Sequence, residues 1–173
     1  GGTPDDTVID FSKSIYDEAQ RLITLVNDII KISRLDDGNV EYDRENIDLF
    51  ALSEEIARRI KPVSDKAGLK VSVTGEHAAF FGVRKILDEM IFNLCDNAVK
   101  YNRPNGTVDI NIRKENGRTL LSVKDSGFGI PVSAQDRVFE RFYRVDSSRS
   151  KALGGTGLGL SIVKSILDAH NAH

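Results

Sequence analysis

The first 35 residues carry a heptad pattern of apolar and small residues. These residues recur at alternating steps of four and three, at Ile15, Ala19, Leu22, Val26, Ile29 and Ser33. The spacing predicts one long helix from about Thr7 to Leu35, ending near Asp36-Asp37-Gly38. Because a heptad face is stable only when it is covered, we expect this helix to pack against a partner.

The hydrophobic pattern changes after residue 37 and predicts one domain in which helices and strands are mixed. The expected order is a strand-like segment from Val40 to Leu49, a helix from Ser53 to Ala67, a strand from Leu69 to Thr74, a short strand near Phe80, a helix from Arg84 to Tyr101, strands from Thr107 to Arg113 and from Thr119 to Lys124, and a helix from Leu158 to His170. The last two strands are joined at Glu115-Asn116-Gly117, which predicts a hairpin. Residues 125–150 should be mostly loop, with a short helical turn near Arg137 to Phe142.

Composition excludes several classes of function. The chain has 173 residues, 29% of them charged, and a net charge of -2 with the signs interspersed, so neither nucleic acid nor an anionic membrane is an expected partner. The single cysteine, Cys95, lies in an apolar stretch and predicts a buried, inert thiol in a reducing compartment. No apolar run approaches the ~20 residues that cross a bilayer, and no signal pattern opens the chain. We therefore expect a soluble cytoplasmic piece, which is compatible with its being the cytoplasmic portion of a membrane receptor.

A glycine cluster stands directly before the last predicted helix. Its residues are Gly154-Gly155-Thr156-Gly157-Leu158-Gly159-Leu160. Backbone N–H groups without a neighbouring Cβ can converge on an anion at a helix N-terminus, so the cluster is a candidate phosphate cradle. Taken alone, the same residues are also compatible with a flexible linker, although the phosphate cradle is the favoured interpretation.

A second glycine-containing segment follows the predicted hairpin, with the sequence Asp125-Ser126-Gly127-Phe128-Gly129-Ile130-Pro131. A buried Asp125 at the end of the sheet can accept a hydrogen bond from an exocyclic amine. The alternative interpretation is an ordinary turn aspartate beside turn glycines.

Three polar residues share one face of the helix that ends near Tyr101. Asn93, Asn97 and Lys100 are separated by steps of four and three. Amide oxygens suit Mg²⁺ and a lysine suits a phosphate, although a merely solvated face explains the same residues.

Taken together, these segments closely resemble a known family. With Phe139-Glu140-Arg141-Phe142-Tyr143-Arg144 between the glycine segments, they follow the order of the N box, first glycine box, F box and second glycine box of two-component sensor histidine kinases. Residues 10–35 likewise resemble the second helix of the family's dimerisation stem. The resemblance implies a stem helix at residues 1–37 and an ATP-binding catalytic domain at residues 38–173. The implied fold is α+β, a two-layer α/β sandwich of the Bergerat type with helices on one face of a mixed sheet.

The resemblance also implies roles for individual residues. Asn97 would hold Mg²⁺, with Asn93 and Lys100 on the phosphate side of ATP, and Arg144 is a candidate for the γ-phosphate. Asp125 would bind the adenine amine. The other implied nucleotide contacts are Tyr101, Gly127, Gly129, Ile130, Gly155, Thr156, Gly157, Leu158 and Gly159. Residues 132–153 would form a mobile lid over ATP.

The implied reaction is transfer of the ATP γ-phosphate to a histidine, and the implied partners are a cognate response regulator and, in the full-length kinase, a second copy of the protein. In related ATPases a glutamate that activates water stands four residues before the magnesium asparagine. Here that position is Asn93, so we expect slow hydrolysis of ATP.

Two departures from the family pattern stand out. The phosphoacceptor motif His-Glu-Leu-Arg/Lys-Thr-Pro is absent, and His77, His170 and His173 are expected to be ordinary surface or helix-end residues. The family also continues with two further strands, so we expect an uncovered sheet edge and an exposed apolar surface on the last helix, with lowered stability or association with another chain.

Two other functions compete with the histidine kinase. The first is an anti-sigma-type serine kinase or another ATPase of the same superfamily, against which the heptad helix and Asn93 argue. The second is an interaction module that has lost ATP, against which Asn97, Lys100, Asp125 and the complete second glycine box argue.

Overall fold

The structure is a computed structural model that describes residues 4–36, 43–145 and 155–170. Within these ranges the helices are α1 (Pro4–Asp36), α2 (Leu49–Lys66), α3 (Arg84–Lys100), α4 (Val132–Gln135) and α5 (Gly159–Ala169). The strands are β1 (Glu45–Asp48), β2 (Lys70–Gly75), β3 (Ala79–Gly82), β4 (Thr107–Glu115) and β5 (Arg118–Asp125). The predicted element order is confirmed.

Helix α1 exposes its heptad face. Ile15, Leu22 and Val26 are 56%, 53% and 53% exposed, whereas Ile32 is only 4% exposed and joins the core of the domain. Leu25 is partly buried against the same core. The helix therefore docks on the domain through a face that the heptad pattern did not indicate.

Helix α2 begins at Leu49, four residues before the predicted start at Ser53, because Asp48 caps it. The Asp48 Oδ1 atom accepts hydrogen bonds from the N–H groups of Phe50 at 3.0 Å and Ala51 at 3.3 Å. Ser53 is instead buried in the helix, where its hydroxyl donates to the Leu49 carbonyl at 2.7 Å. The helix ends at Lys66, one residue before the predicted end at Ala67, and Gly68, with a φ of 70°, closes it.

The strands form two sheets, and the larger one is mixed, as predicted. In the larger sheet the order is β2-β4-β5, with β2 parallel and β5 antiparallel to β4. Asn116 and Gly117, with φ values of 52° and 76°, form the two-residue turn between β4 and β5. The smaller sheet pairs β1 with β3 in an antiparallel register from Glu45 opposite Gly82 to Asp48 opposite Ala79.

The core lies between one face of the larger sheet and the helices. Val108, Ile110 and Ile112 of β4 are fully buried on that face, against apolar side chains of α2, α3 and α5. The opposite face is polar: Asp109, for example, accepts a hydrogen bond from Ser72 at 2.9 Å. The alternation along β4 therefore produces the predicted two-layer α+β arrangement.

The segment after β5 is mostly loop, as predicted, but its short helix lies earlier than expected. Its short helix, α4, lies at Val132–Gln135, and residues 136–142 form turns, such as the one in which the Glu140 N–H donates to the Arg137 carbonyl at 2.9 Å. Pro131, with a φ of -53°, stands directly before α4 and favours a helix start at that point. Residues 146–154, most of the second half of the predicted lid, lie outside the described residues.

The expectation of an exposed apolar surface on the last helix is wrong for the described part of the chain. Ile162, Val163 and Ile166 of α5 are buried, because α5 packs against α3 and is also covered by α1. In the described part of the larger sheet, β5 is an edge strand, as expected, and it pairs only with β4.

Candidate functional site

The carboxamides of α3 face the N-terminus of α5. A Cβ atom added to Gly159 would lie 3.5 Å from Asn93 Oδ1 and 3.6 Å from Asn97 Nδ2. The N box and the second glycine box therefore meet, with two carboxamides beside the positive end of a helix dipole. This is a setting in which phosphate oxygens and a hard cation can both be bound.

Lys100 lies one turn beyond Asn97, and its ammonium group has a partner. The Lys100 Nζ atom is 2.6 Å from the Asp96 carboxylate, in an ion pair along α3 whose two side chains are each about one-third exposed. An exposed pair of this kind contributes roughly 0–1 kcal/mol, so a phosphate group can compete for the lysine.

The first glycine box is attached to the C-terminal end of the same helix. The Phe128 N–H donates to the Tyr101 carbonyl at 3.2 Å, and the Tyr101 N–H donates to the Asn97 carbonyl at 3.0 Å. A Cβ atom on Gly127 would lie 2.4 Å from the Tyr101 carbonyl oxygen, so only glycine fits there. The magnesium candidate and the first glycine box are thus neighbours, as predicted.

Asp125 lies beside this box, but it is exposed rather than buried as expected. Its Oδ1 atom accepts a hydrogen bond from the Gly127 N–H at 2.8 Å, because Asp125 ends an edge strand and turns back over the following residues. Its second carboxylate oxygen can accept a bond from a ligand. Gly129, with a φ of 69°, has open space on the side where a Cβ would stand, and Ile130 is exposed next to it.

The F box is joined to the second glycine box through the backbone. The Phe142 N–H donates to the Gly157 carbonyl at 3.0 Å, and a Cβ on Gly157 would lie 3.0 Å from the backbone of Phe142. Phe142 has a φ of 65°, which is unusual for a bulky side chain. Leu158 is fully buried in the core, so any contact between Leu158 and a nucleotide involves its backbone.

Arg144 carries two buried hydrogen-bond donors in its guanidinium group. Its Nε and Nη2 atoms have no hydrogen-bond partner in the part of the chain that the structure describes. Leaving a buried charged donor unpaired is costly, typically ~1–3 kcal/mol or more. An anionic ligand would supply an acceptor for these donors, and the phosphate role of Arg144 stays a prediction.

Sequence reasoning missed Asp28 of α1, which contacts the second glycine box. The Thr156 hydroxyl donates to Asp28 Oδ2 of α1 at 3.1 Å and accepts from the Leu158 N–H at 3.4 Å. Burial raises the pKa of Asp28, against the opposing effect of the Thr156 hydrogen bond. The available signal was a second apolar spacing in α1, Leu25 and Ile32, with Asp28 between them on the same face.

The single cysteine is buried and therefore inert, as predicted. Cys95 is inaccessible to solvent within α3, and burial raises its pKa to about 12. A thiol reacts as the thiolate, so the buried Cys95 thiol is protonated and unreactive near neutral pH while the domain stays folded.

Two histidines lie within the described residues, and one of them, His170, has a buried Nε2 atom with no hydrogen-bond partner in that part of the chain. His77 pairs with the Asp48 cap at 2.5 Å on the surface, and His170 Nδ1 is 2.9 Å from the Ile166 carbonyl at the end of α5. His173 lies outside the described residues.

No helix in residues 4–36, 43–145 or 155–170 has both the length and the apolar character needed to cross a bilayer.

Comparison with known proteins gives one family. Residues 82–173 match the family described as histidine kinase-, DNA gyrase B- and HSP90-like ATPase. The chain is 40% identical over 172 residues to the sensor-like histidine kinase SenX3 of Mycolicibacterium smegmatis, which covers 96% of this chain and 44% of SenX3. It is 35% identical over 158 residues to the sensor protein kinase WalK of Staphylococcus saprophyticus, which covers 90% of this chain and 26% of WalK. The chain thus spans less than half the length of these curated relatives.

Solved structures of similar shape belong to the same group of proteins. A mycobacterial sensor histidine kinase, MprB, superimposes with a TM-score of 0.65 at 28% identity, over 75% of this chain and 81% of that one. Full-length ShkA, solved in complex with AMPPNP, superimposes with a TM-score of 0.79 at 26% identity, over 92% of this chain and 33% of ShkA.

Proposed function

This chain belongs to the histidine kinase-, DNA gyrase B- and HSP90-like ATPase family and carries the ATP-binding domain of a sensor histidine kinase, and we propose that it positions the γ-phosphate of ATP for transfer to a histidine of a stem helix. The observation that carries the proposal is the meeting of both glycine boxes with the Asn93 and Asn97 helix. We also propose that residues 1–37 are the second stem helix and residues 38–173 the catalytic domain.

Phosphoryl transfer depends mainly on position and charge. The N-terminus of α5 offers N–H groups and a dipole, and Arg144 offers two buried donors that have no acceptor among the described residues. Lys100 adds an ammonium once a phosphate displaces Asp96. These groups would orient the phosphate chain and neutralise charge that develops during transfer.

We propose Asn97 as the protein ligand of Mg²⁺. Its amide oxygen is a hard donor, and Mg²⁺ commonly combines one or two protein oxygens with substrate phosphates. When bound, the ion would supply positive charge to the phosphate oxygens. Asp125 would accept a hydrogen bond from the adenine amine, while Tyr101, Gly127, Gly129 and Ile130 would line the base. Gly155, Thr156, Gly157 and Gly159 would approach the phosphates.

Asn93 favours transfer over hydrolysis. A carboxamide is not a general base, so water near the γ-phosphate would not be activated. We expect the purified chain to release inorganic phosphate from ATP slowly, in a phosphate-release assay with Mg²⁺. Rapid turnover would contradict this role of Asn93.

The kinase assignment is tested by mixing the chain with Mg²⁺, γ-labelled ATP and a separately supplied stem helix that bears the acceptor histidine. We expect acid-labile label on that helix when the unsubstituted chain is used. The label should be lost with Asn97→Ala. It should be kept with the control Asn111→Ala, because Asn111 lies on the polar face of the larger sheet. Acid-stable label on serine would support the serine kinase instead. Binding of ATP without any transfer would leave only a nucleotide-binding module.

The longer protein is expected to act through partners. We propose that it pairs with a second copy through the heptad face of α1, passes phosphate to a cognate response regulator and works in the cytoplasm. The exposed positions Ile15, Leu22 and Val26 support the first of these proposals.

A further inference from the structure

The contact between α1 and the second glycine box places a carboxylate at a site proposed for phosphates. Asp28 Oδ2 accepts a hydrogen bond from the Thr156 hydroxyl at 3.1 Å. Thr156 lies two residues before the buried Leu158, which caps the start of α5. Asp28 is partly buried, and burial, which is the largest influence on it, raises its pKa. The carboxylate is therefore incompletely solvated where it meets the loop.

The cations around Asp28 do not neutralise it fully. Lys31 is 3.8 Å from Asp28 but only 2.6 Å from Glu89 of α3, so its charge is shared with a second carboxylate. Lys100 is near enough to lower the pKa of Asp28, but its ammonium contacts Asp96 at 2.6 Å. In this linked group the three carboxylates of Asp28, Glu89 and Asp96 outnumber the two ammonium groups of Lys31 and Lys100.

We propose that Asp28 is a nucleotide-sensitive latch: its carboxylate holds α1 on the second glycine box through Thr156 and opposes the phosphate chain of a nucleoside triphosphate that enters the same loop. This inference rests on the proposed ATP site. By thermodynamic linkage, docking of α1 through Asp28 weakens triphosphate binding, and the bound triphosphate loosens α1 to the same extent.

The latch is tested by measuring Kd for Mg²⁺–ATP and for adenosine with the whole chain and two isosteric variants. Asp28→Asn removes the charge but keeps an acceptor for Thr156. Asp17→Asn makes the same change on α1, 11 residues or about 16 Å away along the helix. We expect Asp28→Asn to bind ATP about three- to tenfold more tightly, because like charges a few Å apart near a surface repel by roughly 1 kcal/mol or more.

The controls separate charge from structure. Adenosine should bind equally well to all three proteins, and the gain of Asp28→Asn for ATP should shrink at high salt. In hydrogen exchange, Mg²⁺–ATP should speed exchange of α1 amides around residues 24–33 in the unsubstituted chain, and less so in Asp28→Asn.

The outcomes distinguish this inference from the proposed function. If the unsubstituted chain and Asp17→Asn bind ATP but Asp28→Asn binds it no better, the latch is wrong and the ATP site stands. Tighter binding of adenosine by Asp28→Asn would also overturn it, since adenosine has no phosphates. If none of the proteins binds ATP, the proposed function fails and the latch fails with it.

Discussion

Helix α1 and strand β4 use the same kind of residue in opposite ways. Ile15 and Leu22 of α1 are more than half exposed, whereas Ile110 and Ile112 of β4 are completely buried. The domain closes its own core between sheet and helices, but α1 leaves its heptad face open and docks through Leu25, Asp28 and Ile32. The apolar periodicity of α1 thus shows that a helix face needs to be covered. It does not show which of the two faces of α1 packs against the domain of the same chain.

The largest loss of stability is expected from a substitution in the core of the domain. Ile110→Ala should lower the free energy of unfolding by about 2–5 kcal/mol, because it removes buried methylenes and leaves a cavity. Denaturant unfolding followed by circular dichroism measures the change. A loss below about 1 kcal/mol would show that the core relaxes far more than the packing suggests.

Cys95 reports on closure of the same core. Because burial raises its pKa to about 12, a thiol reagent at pH 8 should modify Cys95 only when the domain opens. Val26→Cys, on the exposed face of α1, provides the matched thiol and should react at once in the same chain. Equal rates at the two positions, resolved by peptide mass spectrometry, would contradict a closed core.

A smaller effect is expected where α1 meets the domain. Ile32→Ala should weaken docking of α1 by about 1–3 kcal/mol. The substitution removes most of the one described α1 side chain that is fully part of the core. Hydrogen exchange should accelerate in α1 but change little in β4. Ile29→Ala, at a 45% exposed position, is the control and should leave both rates unchanged.

The smallest effect is expected on the heptad face. Leu22→Gln should change the free energy of unfolding of the domain by no more than about 0.5 kcal/mol, as for surface positions generally. If the change instead destabilised the chain in a concentration-dependent way, the face would be covered by a second copy in solution. Sedimentation of the chain and the variant distinguishes these cases.

The sequence predicts the fold well where a local signal and burial agree. The turn at Asn116 and Gly117 and the alternation of Val108, Ile110 and Ile112 needed no long-range information. The start of α2 was misplaced because Asp48 and Ser53 are both acceptable caps, and only the pairing of β1 with β3 decides between them.

The sequence predicted the residues of the candidate site but not the exposure of those residues or their contacts with distant segments. The spacing of Asn93 and Asn97 indicated their common face, and the fold confirms that this face meets Gly159. The exposure of Asp125 and the contact of Asp28 with Thr156 depend on how distant segments pack, for which one sequence has no local signal.

The central claim is that a purine triphosphate binds between the two glycine boxes. Its most direct test is calorimetric titration of Mg²⁺–ATP into the chain, into Asp125→Asn and into Asp109→Asn, which makes the same change on the polar face of the same sheet. We predict binding by the unsubstituted chain and Asp109→Asn, and a loss of roughly tenfold or more in Asp125→Asn, as expected when a charge-assisted hydrogen bond is removed. Equal affinities of the two variants would contradict the claim.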